Sequence, residues 1–316
     1  MESPQNIKKR LKSVNNINQI TKAMELVSAT KMRKSQQIAL DSRPYSFAAL
    51  DFLATISVLE KQKLPALFEV RKNIKKVLFV LVTSDKGLAG AFNSSIFKKF
   101  EVHLKAEKAE WEKEEHIYVA VGEKAFAYLS KKGFKVLKKF TNVGDYTTPE
   151  QVKPLVDFVV DGYLEKKWDR VIIISTHFRS ALKQEPHVRR VLPIDFYHIA
   201  DTIKEIIPER GKFADLIKEH HISFIPDKAK LKEYTIEPRP EKVLEKLAEH
   251  LFFMQVYHLV LEANASEHSA RRMAMKTASD NASDLGQKLN LQYNKSRQSR
   301  ITTEIAEISA GAEAQS

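Results

Sequence analysis

The sequence predicts an α/β protein: two long terminal helices pairing as an antiparallel coiled coil, with a doubly wound parallel sheet between them in the chain. Three observations carry this reading. Turn-forming residues are concentrated in the middle, both ends have the periodicity of long helices, and the middle alternates apolar strand runs with helical stretches. The 316 residues include only nine Gly and eleven Pro, where average usage would give about 22 and 16. No Gly precedes Gly87, and only Gly286 and Gly311 follow Gly211; no Pro lies between Pro4 and Pro44 or after Pro240.

The N-terminal helix is expected over 1–60. Ser3 before Pro4 offers an N-cap followed by proline at the first helical position. Apolar residues recur at Ile7, Leu11, Val14, Ile17, Ile20, Met24 and Val27, in steps of three and four that suit a narrow coiled-coil seam. The other face is basic, with Lys8, Lys9, Arg10, Lys12, Lys22, Lys31, Arg33 and Lys34. Pro44 is expected to kink or briefly interrupt the helix, because proline removes a backbone donor and crowds the preceding turn. The pattern resumes from Tyr45 to Glu60.

The C-terminal helix is expected over 238–316, starting at Pro240-Glu241. Its seam reads Val243, Leu247, Leu251, Met254, Tyr257 or His258, Leu261 and Ala265, then thins through Ala278, Ala282, Leu285 and Leu289. At ~1.5 Å per residue such a helix is on the order of 110 Å long, more than one small domain can bury. The shorter N-terminal helix covers only part of it as an antiparallel partner. Residues 294–300 (NKSRQSR) are polar on every side, and a lone helix of that kind is rarely stable in water. An enclosing polar sleeve is the sharper reading and a frayed, solvated tail the plainer one.

The middle, 75–195, alternates element types. Val77 to Thr83 and Val171 to Thr176 are continuous apolar runs, as expected of strands covered on both faces. Ile117–Val121 reads as a strand, Phe134–Leu137 as a weak one, and Leu182–Gln184 and Val188–Ile194 as two further short ones. Helices are expected at Ile96–Trp111, Glu123–Lys132 and from the Thr148-Pro149-Glu150 cap to about Lys166. The alternation implies a parallel, doubly wound, Rossmann-like sheet. Residues 196–232 are charged, carry Pro208, Gly211 and Pro226, and read as an insertion with a short helix of its own.

Composition excludes several function classes. Hydrophobic residues make up 43% and charged residues 29%, the balance of a folding, water-soluble chain. There is no Cys, so disulfides, Cys-ligated zinc and thiol nucleophiles are out. No apolar run approaches the ~18 residues of a membrane helix, and the N-terminus lacks an apolar export core, so a cytoplasmic chain is expected. The net charge of +12 is uneven: +6 over 1–43, +7 over 44–239, and −1 over 240–316 with a local +5 over 268–300. Nucleic acid, an anionic membrane surface and an acidic protein partner all suit that balance.

No chemical motif claims the chain for catalysis. Ser84-Asp85-Lys86-Gly87-Leu88-Ala89-Gly90 follows the first strand, where α/β sheets often bind phosphate, but it matches neither glycine-rich phosphate fingerprint; a tight turn packing helix on strand is the simpler reading. His220-His221 has no carboxylate at i+4 of either residue and reads as solvated surface. No nucleophile-elbow or metalloprotease motif occurs. Met24, Met254, Met273 and Met275 read either as an adaptable binding stripe or as ordinary seam packing. Arg271, Arg272 and Lys276 suit a solvated face and a docking site about equally well. A basic coiled-coil nucleic-acid-binding or scaffold protein and a nucleotide-binding α/β enzyme remain open alternatives.

Three segments nevertheless carry a strong likeness. IKKRLKSVNNINQITKAMELVSATKMRKSQ, TSDKGLAGAFNSSIFKK and ARRMAMKTASDNASDLGQKLNLQYNKSRQSRITTEIAEISAGAEA, the last containing ITxExxExxxGAxA from Ile301 to Ala314, together resemble the gamma subunits of F-type ATP synthases. The resemblance covers roughly 1–60, 75–200 and 235–314, in the family's order. It implies a non-catalytic rotor: the terminal helices form the shaft inside a ring of alpha and beta subunits. The α/β domain binds epsilon and the membrane c-ring. Such a chain binds no cofactor itself, ATP, ADP and magnesium being held by partners; it binds no nucleic acid and meets the membrane only through its partners, at the cytoplasmic face. The family pattern has Cys in the loop matching 85–90, where this chain has Ala89. The 196–232 stretch lies where photosynthetic members carry a redox insertion, but without Cys it is no thiol switch.

By matching position, the resemblance implies site residues of three kinds. Arg297, Gln298 and Thr302, with Glu304 and Glu307 in the same signature, fall where the shaft meets the beta-subunit catch loops. Arg297 is a planar donor fork suited to a carboxylate. Met24, with Lys22 and Lys31 nearby and Arg271 on the partner helix, matches the region facing the acidic lever of beta. Tyr234 and Glu237 match positions near the c-ring.

Overall fold

The computed structural model describes residues 3–57, 65–71, 73–106, 114–144, 147–194, 237 and 239–313. The insertion expected at 196–232 and Tyr234 lie outside the described residues. The chain divides into two compact units, one of residues 1–29 with 271–316, the other of residues 30–270. Both terminal helices contribute residues to both units.

The larger unit is built on a five-stranded sheet. Its strands are β1 (Lys76–Val82), β2 (Glu115–Val121), β3 (Val136–Phe140), β4 (Arg170–Phe178) and β5 (Gln184–Leu192), in the order β3-β2-β1-β4-β5. Helices α2 (Phe92–Ala106), α3 (Glu123–Lys131) and α4 (Pro149–Leu164) make the crossovers. The first four strands are parallel. Where the sequence suggested two short parallel strands, 182–184 and 188–194, there is one, β5, antiparallel to β4. The connection explains the direction: only Arg179 to Lys183 separate β4 from β5, too few for a parallel crossover. Strand β3 lies two to three residues later than expected, and α2 begins four residues earlier; the expected helical stretch past Ala106 lies outside the described residues.

Strand alternation distributes β1 between two cores. Leu78, Val80 and Val82 pack with Val152, Leu155 and Val159 of α4 and with residues 248–263. Val77, Phe79 and Leu81 pack with Phe92, Ile96 and Phe100 of α2 and with Ala125 and Leu129 of α3. A continuous apolar run is what a strand covered on both faces requires.

Helix α1 spans Pro4–Ser57 and runs through Pro44 unbroken, so the interruption expected there does not occur. Proline removes one intrahelical bond, and the helical turns continue on both sides of it. Helix α5 spans Pro240–Glu313. Within the larger unit, every residue of α5 from Val256 to Ser269 is buried. The sequence placed a one-sided seam there; the structure wraps the helix completely.

The start of the sheet is pinned by one ion pair. Arg71 donates to Asp169 Oδ1 at 2.7 Å and to the carbonyls of Trp168 and Tyr163 at 2.8 and 2.6 Å, and its guanidinium lies 4.4 Å from the centre of the Tyr163 ring. Asp169 Oδ2 accepts from the backbone N–H groups of Lys75 and Lys76. Burial works against the Asp169 charge, but these amides and the Arg71 guanidinium outweigh it and hold the carboxyl below its usual range. The stabilisation is therefore fully present above the unfolded value of about 3.9 and is lost as pH falls through the lower folded value. We expect Asp169→Asn to cost about 2 kcal/mol at neutral pH and to reduce the acid-side loss of stability, measured by thermal melting between neutral pH and about pH 3.

Candidate partner-binding site

The smaller unit holds nearly all the residues marked for partner contact. Two contacts fix its helix pairing: Ser279 Oγ donates to Asn18 Oδ1 at 2.5 Å, and a Cβ at Gly286 would stand 3.3 Å from Asn15 Oδ1 and 3.8 Å from Val14. As the α1 number falls the α5 number rises, so the helices are antiparallel.

The seam differs from the apolar pattern in a telling way. On α1 a stripe of Ile7, Leu11, Val14, Asn18, Thr21, Glu25 and Ser28 is buried or half-buried, its steps alternating four and three as a heptad requires. The sequence reading followed this stripe through Val14 and then left it for Ile17, Ile20, Met24 and Val27. Ile17, Ile20 and Val27 are 52%, 60% and 54% exposed, and Met24 is half-buried. The mean step of that apolar set is shorter than 3.5, so it drifts out of the seam. Polar residues hold the heptad phase while an apolar stripe faces outward beside them. Helix α5 behaves similarly. Met275, Ser279, Ala282, Gly286 and Leu289 are buried, whereas Leu285, Leu291, Ile301, Ile305 and Ile308 are exposed.

Each expected contact residue has a definite place. Arg297, Gln298, Thr302, Glu304 and Glu307 are all exposed on α5, in a stretch from 297 to 310 with no buried position. The Thr302 hydroxyl donates to the Gln298 carbonyl at 2.9 Å, and Arg300 Nε holds Glu304 at 2.8 Å. Arg300 was missed in the sequence, although its i, i+4 spacing to Glu304 is the signal for such a pair. Lys22 is exposed and pairs with Glu25 at 3.0 Å, so part of its charge is met within the chain. Lys31 is half-buried, in the larger unit. Arg271, expected on the surface, is buried at 8% exposure. Glu237 is exposed, and Tyr234 lies outside the described residues. A shallow groove of about 660 Å³ runs beside Lys8, Lys9 and Lys12 with Gln5, Leu11, Asn15 and Asn16, adding a cationic face near the start of α1.

At the carboxyl ends of the parallel strands, the loop after β1 is occupied by its own side chains. Asp85 accepts from the N–H of Glu123, the first residue of α3, at 3.0 Å and from that of Asn142 at 2.9 Å. Asn93 holds the Ser84 backbone and hydroxyl. Gly122 sits at φ +94°, and a Cβ there would meet the Thr83 carbonyl at 2.3 Å, so only glycine lets α3 start this close to β1. A carboxylate thus sits at the helix N-terminus where a phosphate would otherwise be attracted. Among the described residues no group of three or more His, Cys, Asp or Glu could hold a metal.

These features define a protein of paired long helices and an α/β unit, whose exposed surfaces combine apolar stripes with charge. A family model described as ATP synthase matches residues 3–315. An ATP synthase gamma chain of Bdellovibrio bacteriovorus is 38% identical over 99% of both chains, and one of Roseiflexus castenholzii is 34% identical over 99% of both. In fold, the chain is similar to one in the Euglena gracilis mitochondrial ATP synthase OSCP/F1/c-ring assembly, with TM-score 0.62, 20% identity and coverage of 99% of this chain and 94% of that one. A chain of the Tetrahymena thermophila mitochondrial central stalk and c-ring matches with TM-score 0.55, 21% identity and coverage of 82% and 99%. The chain belongs to the ATP synthase gamma-chain family.

Gly286 tests the helix pairing. Replacing it with Ala adds about 1 kcal/mol of helix propensity against one tight contact with the movable end of Asn15, so we expect little net change. Gly286→Leu overfills the same gap and is expected to cost 1–3 kcal/mol, about what overpacking costs elsewhere. Thermal melting of both variants checks the pair.

Proposed function

We propose that this chain is the central-stalk rotor of an F-type ATP synthase, carrying torque between a proton-driven c-ring and catalytic beta subunits. It performs no chemistry itself and binds no cofactor; nucleotide and magnesium belong to partners. The observation that carries this reading is the helix pair, whose seam turns polar or small from Asn18 to Ser28 and at Ser279, Ala282 and Gly286 while an apolar stripe lies outside it. A coiled coil evolved to stand in water does the opposite. Two helices meant to turn within a sleeve of other subunits need outward apolar and charged positions.

The exposed stretch with Arg297, Gln298, Thr302, Glu304 and Glu307 suits the catch loops of beta, and Arg297 can take a carboxylate in two parallel hydrogen bonds. Met24, Lys22, Lys31 and the basic face of α1 suit an acidic lever of beta, whereas Arg271 is buried within this chain rather than offered at its surface. Glu237 and Tyr234 suit the c-ring side. Alpha and epsilon complete the partner set. Among the described residues no helix is long and apolar enough to cross a membrane, which fits a peripheral subunit at the cytoplasmic face.

Two experiments test this. Met24→Lys places a charge on the edge of the outward stripe, and we expect proton pumping per ATP hydrolysed to fall severalfold in membrane vesicles with assembly intact. Equal ratios in wild type and variant would rule the lever contact out. Deleting 302–316 removes the last exposed turns. If they act only as a guide, assembly survives with reduced hydrolysis; loss of both marks them as a structural element, read by subunit content after purification.

A further inference from the structure

The fully buried stretch of α5 is gripped by hydrogen bonds on two opposed faces. On one face, Tyr257 donates to the Thr147 carbonyl at 3.1 Å, and Asn264 Nδ2 donates to the Val143 carbonyl at 2.9 Å and to Thr147 Oγ1. On the other, Glu262 pairs with His177 Nδ1 at 2.9 Å, with Arg189 at 3.9 Å. Ser269 Oγ donates to the Ala181 carbonyl at 2.7 Å and accepts from Gln184 at 3.4 Å. Within each set the two helix residues are seven apart, so they share a face. At about 100° per residue the two sets lie roughly 140° apart around the axis.

We infer that these two sets lock the rotational angle of α5 within the α/β unit, making Tyr257, Glu262, Asn264 and Ser269 positioning residues for torque transfer. The inference rests on the rotor reading above. Leu259, Val260, Leu261, Ala263 and Ala265 fill the socket between them, but apolar burial is non-directional and sets no angle on its own. Hydrogen bonds weaken steeply when misaligned, so opposed pairs resist twist in both senses. Stability does not call for them, because apolar residues of similar volume often replace buried ion pairs at no cost. Burial disfavours the Glu262 charge, yet the hydrogen bond from His177 and the charges of His177, Arg189 and His258 keep its carboxyl below the ordinary range, so the pair stays engaged.

The test uses the assembled enzyme. One variant carries Tyr257→Phe with Asn264→Leu, a second Glu262→Gln with Ser269→Ala, and a third all four. The expected result is lower torsional stiffness in single-molecule rotation for each two-residue variant and a severalfold drop for the combined one. Proton pumping per ATP should fall in parallel while subunit content holds. Restoring the hydroxyl with Ser269→Thr in place of Ser269→Ala should recover part of the stiffness, which a purely structural role would not require. Assembled variants with wild-type stiffness and coupling overturn the inference, and the two-residue variants decide it if the combined one does not assemble. A wild-type chain that does not turn under ATP would instead sink the rotor reading.

Discussion

A helix with no face in water, α5 from Val256 to Ser269, governs how the larger unit is put together. Every polar side chain on that stretch must find its partner inside the protein, since an unpaired buried polar group costs several times what a paired one returns. The sheet meets much of that demand at both ends, though the buried Ser266 hydroxyl has no hydrogen-bond partner among the described residues. The 143–147 segment after β3 offers carbonyls and the Thr147 hydroxyl, and the β4–β5 hairpin offers His177, Arg189 and the Ala181 carbonyl. The antiparallel turn of β5 is part of this. A parallel fifth strand would need a long crossover, whereas the short hairpin keeps Ala181 and Gln184 within reach of Ser269.

The smaller unit follows a different rule. Its seam keeps Ile7, Leu11, Val14, Met275 and Leu289, but Asn18, Thr21, Glu25, Ser28, Ser279, Ala282 and Gly286 fill the rest with small or polar residues that allow close approach and bury little apolar area. Such a pair gains modest stability from its own contacts, at roughly 25 cal/mol per Å² of apolar surface removed from water. Ile17, Ile20, Val27, Leu285 and Leu291 are left outside the seam. This is the arrangement expected when the larger share of burial is supplied by other chains. Weak, small-residue packing within and apolar stripes without leave the pair dependent on what surrounds it.

Much of this was legible in the sequence, and two of the failures share one cause. Strands β1 and β4 were plain because burial on both faces leaves an uninterrupted apolar run, and the antiparallel helix pair was plain from length and from the scarcity of Gly and Pro. The seam on α1 was misread after Val14 because apolar residues were assumed to mark the buried face, a rule that fails when the buried face is polar and the open one apolar. Arg271 was misplaced for the same reason: charge suggested surface, and the structure buries it. The polar groups that grip α5 left no trace either, since Glu262 meets His177 across 85 positions of sequence. Arg297, Gln298, Thr302, Glu304 and Glu307 came from the resemblance alone, and all five lie exposed on α5.

The Asp85 carboxylate, with its two backbone partners, amounts to a ligand that never leaves. Tethered to the loop after β1, it reaches the N-terminus of α3 at an effective concentration that no dissolved phosphate can match. One side chain thus ties the loop after β1 to the start of α3 and to Asn142 beyond β3, joining the carboxyl ends of three strands without a bound ligand's help.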